Sequence, residues 1–178
     1  MADPRVEGFS ELLSAEGVAQ RVEVLARQIA PRIDDATVAI CLLTGGLWFA
    51  ADLMRALSRQ GRHPLFDALW LSSYADGQTS LGRVELRAPP QRSLEGRQAL
   101  LIDDVIDSGL SLAAAAGIVV ETGAREVLSV VFAAKPWPEQ RGLEPDFVGW
   151  TAPDRFLIGY GLDAAGRYRG LPGVWGAD

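Results

Sequence analysis

Three aspartates crowd the middle of the chain: Asp103, Asp104 and Asp107 follow the apolar run Ala99-Leu100-Leu101-Ile102 and lead straight into a Ser108-Gly109 step. An uncompensated carboxylate inside a protein is costly, so three near one strand end point to cations or polar ligand groups that meet them. The residues Asp107 to Ser111 can wrap backbone N–H groups around an anion at the start of a helix. Ser108 and Ser111 add hydroxyl donors, Gly109 permits close backbone approach, and Leu110 opens the helix. Acid beside an anion cradle suits a magnesium–phosphate substrate. Spacing alone leaves open a plainer alternative, solvent-exposed turn carboxylates with an N-cap serine.

The elements that must position these groups are read from periodicity. Val18, Val22, Leu25 and Ile29 recur at helical spacing, and Pro31 closes that segment. The β-rich apolar run 37–43 reads as a buried strand ending in Thr44-Gly45-Gly46, after which Ala50, Leu53, Met54 and Leu57 mark a second amphipathic helix. Strands are predicted over 65–73, over 82–88 from its period-2 alternation, over 99–103, over 124–134 and within 155–160. A third helix is predicted from Gly109 to about Thr122. Asp103 and Asp104 are neighbours, so on a strand their side chains point oppositely, a constraint that relaxes as the strand ends. Continuous apolar strands separated by helices indicate an α/β fold with a mainly parallel central sheet and helices on both faces. Ligands on such folds sit at the carboxyl ends of the strands, where both TGG and DDVIDSG fall.

Composition narrows the function class. The 178 residues suit one domain, and an apolar fraction of 48% supplies a core. A net charge of −6 without any basic tract argues against coating a nucleic-acid backbone, so no nucleic-acid partner is expected. Anion binding must then be local. Cys41, the single cysteine, lies in the run VAICLL and is expected as a buried reduced thiol. One histidine, His63, and one cysteine give no support for a zinc cluster. The amino end lacks the cationic-then-apolar pattern of a signal peptide, and no apolar span of about 18 residues exists, so no membrane partner and a cytoplasmic protein are expected.

The segment LLIDDVIDSGLSL resembles the diphosphate-sugar signature of type I phosphoribosyltransferases, which consume 5-phosphoribosyl 1-diphosphate. LLTGGLWFAADLMRAL, SSYADGQTSLG and DRFLIGYGLDAAGRYRGLP resemble three further blocks of the bacterial-type hypoxanthine-guanine phosphoribosyltransferase family, in that family's order, so the resemblance spans residues 12 to 175. It implies the type I phosphoribosyltransferase fold, one domain over 1–178, with a hood formed by parts of the N-terminal segment and about 136–178. It also implies roles. Asp103 and Asp104 match the acidic pair at the ribose hydroxyls, reached directly or through metal and water. Asp107 matches the carboxylate near N7 of the purine, and Asp107 to Ser111 would hold the 5′-phosphate. Leu43, Thr44 and Gly45 match the pyrophosphate loop, where a non-proline cis peptide exposes a backbone N–H, and Arg169 matches an arginine contacting pyrophosphate. Ser73 and Tyr74 match a pair in the lid that closes over the reaction centre. Lys135 matches the donor to the purine's exocyclic oxygen, Phe156 the ring that stacks on the base, and Leu157 the backbone that reads its edge. Asp163 matches a residue at the base and a ligand of Mg2+, with Asp103 and Asp104 as the other metal-associated carboxylates.

The implied partners are small molecules, 5-phosphoribosyl 1-diphosphate and a 6-oxopurine, and a homodimer or homotetramer, for which Trp48, Trp70, Trp137, Trp150 and Trp175 leave room for an aromatic interface. The implied reaction gives IMP or GMP from hypoxanthine or guanine, in purine salvage. The sequence departs from the family at two points. Asp103 stands where most members carry Glu, one methylene longer, and Thr44 stands where the mammalian enzymes carry lysine. A xanthine-preferring relative and a non-catalytic nucleotide-binding protein of the same fold are the alternative readings. A phosphatase-like acidic pocket gives no reason for SSYADG or for the position of Lys135.

Overall fold

In the computed structural model, which describes residues 6–74 and 83–178, the chain forms two sheets and three helices. The strands are β1 (Phe9–Leu13), β2 (Val38–Leu43), β3 (Leu65–Tyr74), β4 (Arg83–Ala88), β5 (Gln98–Ile106), β6 (Glu126–Ala134), β7 (Phe147–Thr151), β8 (Leu157–Ile158) and β9 (Val174–Ala177), and the helices are α1 (Ala15–Ile29), α2 (Leu47–Arg59) and α3 (Leu110–Glu121). The main sheet runs β4-β3-β2-β5-β6-β7. All its pairings are parallel except that of β3 with β4. This is the mixed α/β architecture of type I phosphoribosyltransferases, with helices on both faces as the apolar strand runs imply.

Successive buried side chains of the central strands face opposite sides of the sheet and fall into two cores. Ala39, Cys41, Leu100, Ile102, Leu128, Val130 and Phe132 face α1 and α2, which contribute Val18, Val22, Leu25, Ile29, Phe49, Leu53 and Leu57. Val38, Ile40, Leu42, Ala99, Leu101 and Val131 face α3, which contributes Leu112, Ala115 and Val119. Burial on both faces explains why these strands read as unbroken apolar runs. Ser14 caps α1, its Oγ accepting from the Gly17 N–H at 3.2 Å. Pro31 sits in the short 3-10 turn that ends the helix, where its missing N–H costs no helical bond.

A second sheet, β1-β9-β8, joins the two ends of the chain, with Phe9 opposite Ala177 and Leu157 opposite Gly176. Arg155 fastens it: Nε donates to the Ala177 carbonyl at 2.6 Å and an Nη to Ser10 Oγ at 3.2 Å. β1, β7 and β9 lie outside the sequence expectation, and the strand expected within 155–160 shortens to Leu157–Ile158. Gly159, Tyr160 and Gly161 all take positive φ and turn the chain away. Among the described residues no helix is long and apolar enough to cross a membrane.

Phe132 sits between Phe49 (centroids 5.5 Å apart) and an edge-on Tyr160 (4.7 Å), joining helix, sheet and the 159–171 segment. Phe132→Ala is expected to lower unfolding free energy by about 3–5 kcal/mol in urea titrations, and Phe132→Leu by clearly less.

Candidate active site

The strand order reverses between β2 and β5. β2 leads through α2 to β3 on one side, and β5 leads through α3 to β6 on the other, with α2 and α3 on opposite faces. Such a switch point opens a crevice beyond the carboxyl ends of the two strands. A cavity of about 610 Å³ lies there, a size that suits a small-molecule ligand. Its lining includes Leu43, Thr44 and Gly45 from the end of β2, Asp103, Asp104 and Asp107 from β5 and its turn, Ser108 to Leu112 from the entry to α3, and Asp163 and Arg169. The Leu43–Thr44 peptide bond is cis.

β5 runs on through the acidic pair to Ile106, beyond the expected end at 103. Its alternation breaks at the acids: Ile102 and Val105 both pack toward α1 and α2, whereas Ile106 packs toward α3. Each carboxylate of the pair accepts from the next backbone N–H, Asp103 Oδ1 from Asp104 at 3.0 Å and Asp104 Oδ1 from Val105 at 2.9 Å. Burial, joined by the charge of Asp104, pushes Asp103 well above the usual carboxylate range. Burial also raises Asp104, against the hydrogen bonds it accepts and the pull of Arg169. On the strand behind them, burial and then the two acids push the Cys41 thiol up to about 12, so it stays protonated.

The turn after β5 reaches α3 through Gly109, whose φ of 78° is left-handed. The backbone N–H groups at a helix start lack intrahelical partners, and here Ser108 to Leu112 all line the cavity. The Leu110 N–H lies 3.4 Å from Ser108 Oγ.

From the far side, the 159–171 segment closes in. Asp163 Oδ1 pairs with Arg169 at 2.6 Å, and Arg169 also donates to the Gly161 carbonyl. The Tyr160 hydroxyl donates to Asp52 Oδ2 of α2 at 3.0 Å. Tyr160 is raised above its ordinary value by burial and by Asp52.

Lys135, Phe156 and Leu157 lie outside the residues that line this cavity. Lys135 Nζ stands 3.7 Å from Asp107 Oδ1, so the two meet at the end of the β5–β6 ladder. Phe156 is 53% exposed, with Phe9 as its nearest ring partner at 6.5 Å. The Ala177 N–H donates to the Phe156 carbonyl, which makes 156–177 the hydrogen-bonded pair and 157–176 the non-bonded one. The peptide groups of Leu157 therefore turn from β9 toward the open edge of β8. Ser73 and Tyr74 end β3 opposite Val84 and Arg83. The remainder of the expected lid, 75–82, lies outside the described residues.

Trp70, Leu71 and Ser72 of β3 and Val84 of β4 also line the cavity. The sequence leaves Trp70 open between an interface, the core and a pocket lining; the structure places it on the cavity wall, two residues before Ser72-Ser73-Tyr74. Among the described residues no three His, Cys, Asp or Glu side chains gather as a ready cation cage. The donors present are carboxylate oxygens at two points, Asp103–Asp104 and Asp163. That set fits a hard cation that arrives holding phosphates and waters of its own.

The phosphoribosyl transferase domain family model matches residues 8–165. The chain is 35% identical over 162 residues to the hypoxanthine-guanine phosphoribosyltransferase of Bacillus subtilis, covering 90% of this chain and 88% of that protein. It is 32% identical over 177 residues to the hypoxanthine-guanine phosphoribosyltransferase of Aquifex aeolicus, covering 98% of each. The crystal structure of a hypoxanthine phosphoribosyltransferase from Staphylococcus aureus superposes with a TM-score of 0.89 at 26% identity, covering 100% of this chain and 96% of that one.

A folded-state carboxyl held above its unfolded value binds protons more readily in the folded chain. Stability therefore falls as pH rises out of the ordinary carboxylate range, and the loss persists at neutral pH. Asp103→Asn keeps the acceptor for the Asp104 N–H and removes one charge. It is expected to raise Tm by about 2–4 °C near neutral pH without substrates. That gain should shrink as pH falls toward about 4, which a pH series of thermal melts reads.

Proposed function

Because the chain belongs to the hypoxanthine-guanine phosphoribosyltransferase family, we propose that it transfers the 5-phosphoribosyl group of 5-phosphoribosyl 1-diphosphate to N9 of hypoxanthine or guanine, giving IMP or GMP and pyrophosphate. The observation that carries this reading is the single cavity in which the ends of β2 and β5, the entry to α3 and the Asp163–Arg169 pair converge. In this reading the backbone and hydroxyl groups from Asp107 to Ser111 hold the 5′-phosphate, a dianion met by a helix N-terminus. Asp103 and Asp104 accept from the ribose hydroxyls. Leu43, Thr44 and Gly45 present backbone donors to the pyrophosphate, and Arg169 adds a charged one, so negative charge leaving the sugar is met by fixed dipoles. Asp163, with Asp103 and Asp104 beside the sugar hydroxyls, would hold a magnesium ion, which would supply charge neutralisation at the leaving pyrophosphate.

The base lies on the side of Asp107 and Lys135. Phe156, exposed and unencumbered, stacks on it, and the outward peptide groups of Leu157 pair with its edge. Lys135 donates to the 6-oxo oxygen. Adenine carries an amino donor there and leaves the lysine unpaired, which disfavours it. Asp107, whose Oδ1 stands 3.7 Å from Lys135 Nζ, exchanges the N7 proton. Thr44 brings no charge to pyrophosphate, so its contribution rests on the main chain. A homodimer or homotetramer is proposed as the working unit, which sedimentation reads as two or four times 19.1 kDa.

Pyrophosphate release from 5-phosphoribosyl 1-diphosphate and magnesium, run against hypoxanthine, guanine, xanthine, adenine and uracil, tests the reading. Turnover is expected with hypoxanthine or guanine and not with adenine or uracil, and Asp107→Asn should slow it by about 100-fold or more. Preference for xanthine would move the specificity to that base. No turnover with any base would favour a nucleotide-binding protein without catalysis.

A further inference from the structure

The β5–β6 ladder makes its last main-chain bond where the Lys135 N–H donates to the Ile106 carbonyl at 3.1 Å. One residue further on each strand stand Asp107 and Lys135, whose side chains face each other at 3.7 Å. The Lys135–Ile106 bond is the last rung of the ladder. Arg141 adds a side-chain tie beyond it: its Nε donates to the Asp107 carbonyl at 2.7 Å and its Nη2 to the Lys135 carbonyl. Its Nη1 meets Glu144 at 3.1 Å. A planar guanidinium with donors in fixed directions can hold two carbonyls at a set separation, and a lysine ammonium cannot. The side chain is 13% exposed; its bond to the Lys135 carbonyl is part-buried, whereas its bond to the Asp107 carbonyl lies at the exposed surface. Its own backbone is braced against the phosphate turn. A methyl group on Gly109 would come within 3.3 Å of Arg141 Cβ and 2.9 Å of the Leu143 carbonyl oxygen.

We propose that Arg141 is a positioning residue, a side-chain rung that extends the β5–β6 ladder and sets the Asp107–Lys135 spacing on which recognition of the 6-oxopurine depends. It touches neither substrate. Its consequence for the base rests on the function proposed above, whereas its consequence for geometry does not. Removing the guanidinium should let Lys135 and Asp107 separate. The price falls on the base, which needs both groups at once, and not on the sugar phosphate held further along the turn.

Two readouts on Arg141→Met, and on Arg141→Lys should the first variant fold poorly, test this. Crystal structures of the variant and the parent chain read the Lys135 Nζ–Asp107 Oδ1 separation whatever the activity. Steady-state kinetics read KM for hypoxanthine against KM for 5-phosphoribosyl 1-diphosphate. We expect the separation to widen beyond ion-pair contact and KM for the base to rise at least about tenfold, as small misplacements do. KM for the diphosphate sugar should change by no more than about twofold, and Glu144→Gln, which leaves both carbonyl bonds in place, should behave as the parent. An unchanged separation in the variant, or equal losses for both substrates with a lowered Tm, would overturn the proposal. A widened separation in a chain whose parent turns over no 6-oxopurine would retain the rung and overturn the function assigned to the site.

Discussion

A methyl group on Gly45 would stand 1.9 Å from Asp104 Oδ2, and one on Gly161 would stand 2.2 Å from the Gly45 carbonyl oxygen. The carboxyl end of β2 is thus pressed between the acidic end of β5 and the 159–171 segment, with no side chain between them. Gly46 carries the same constraint one residue on: a methyl group there would stand 2.8 Å from the Leu42 carbonyl oxygen and 3.0 Å from that of Ile102. The acidic end of β5 and the 159–171 segment meet the crevice at this seam. Asp104 is aimed by the gap that Gly45 leaves, and Gly161, held by Arg169, delivers Asp163 to the same space. The Tyr160–Asp52 bond ties that segment to α2, the helix that Gly46 begins.

The seam brings like charges together, and the folded chain bears the consequence. Asp103 and Asp104 sit side by side with burial raising both, while the hydrogen bonds each accepts come from adjacent backbone and not from a paired cation. Evenly apolar residues would fold more comfortably there. Around the acids the packing is dense: Leu42, Ile102, Leu101 and Cys41 are all buried. A rigid wall of this kind keeps the carboxylates where a ligand must satisfy them and prevents them from turning out to water.

Much of the scaffold was legible because burial on both faces leaves a plain record. β2, β5 and β6 read as unbroken apolar runs, and α1 and α2 carry one apolar stripe each. β1, β7 and β9 left no such record. They have five, five and four residues, are partly exposed or interrupted by glycine, and find partners far along the chain, as Phe9 does at Ala177. The acids and the turn after them were legible as a local motif, since their chemistry is contiguous. The cis bond at Leu43–Thr44 was not: the letters there describe an ordinary Gly-Gly turn, and only resemblance to the family supplied it. Arg141 shows the deeper limit. It lies in the turn-rich stretch PWPEQRGLEP, and its partner at Asp107 is 34 positions away, so no spacing rule reaches it.

We propose that the glycine seam holds β2, the acids and the α3 entry together as one binding site for a diphosphate sugar. Calorimetric titration of 5-phosphoribosyl 1-diphosphate with magnesium into the parent chain and into Gly45→Ala tests it most directly. We expect one sugar bound per chain and a loss of at least about tenfold in affinity when the methyl group displaces Asp104. Equal affinity in the two chains, or no binding by the parent chain, would contradict it.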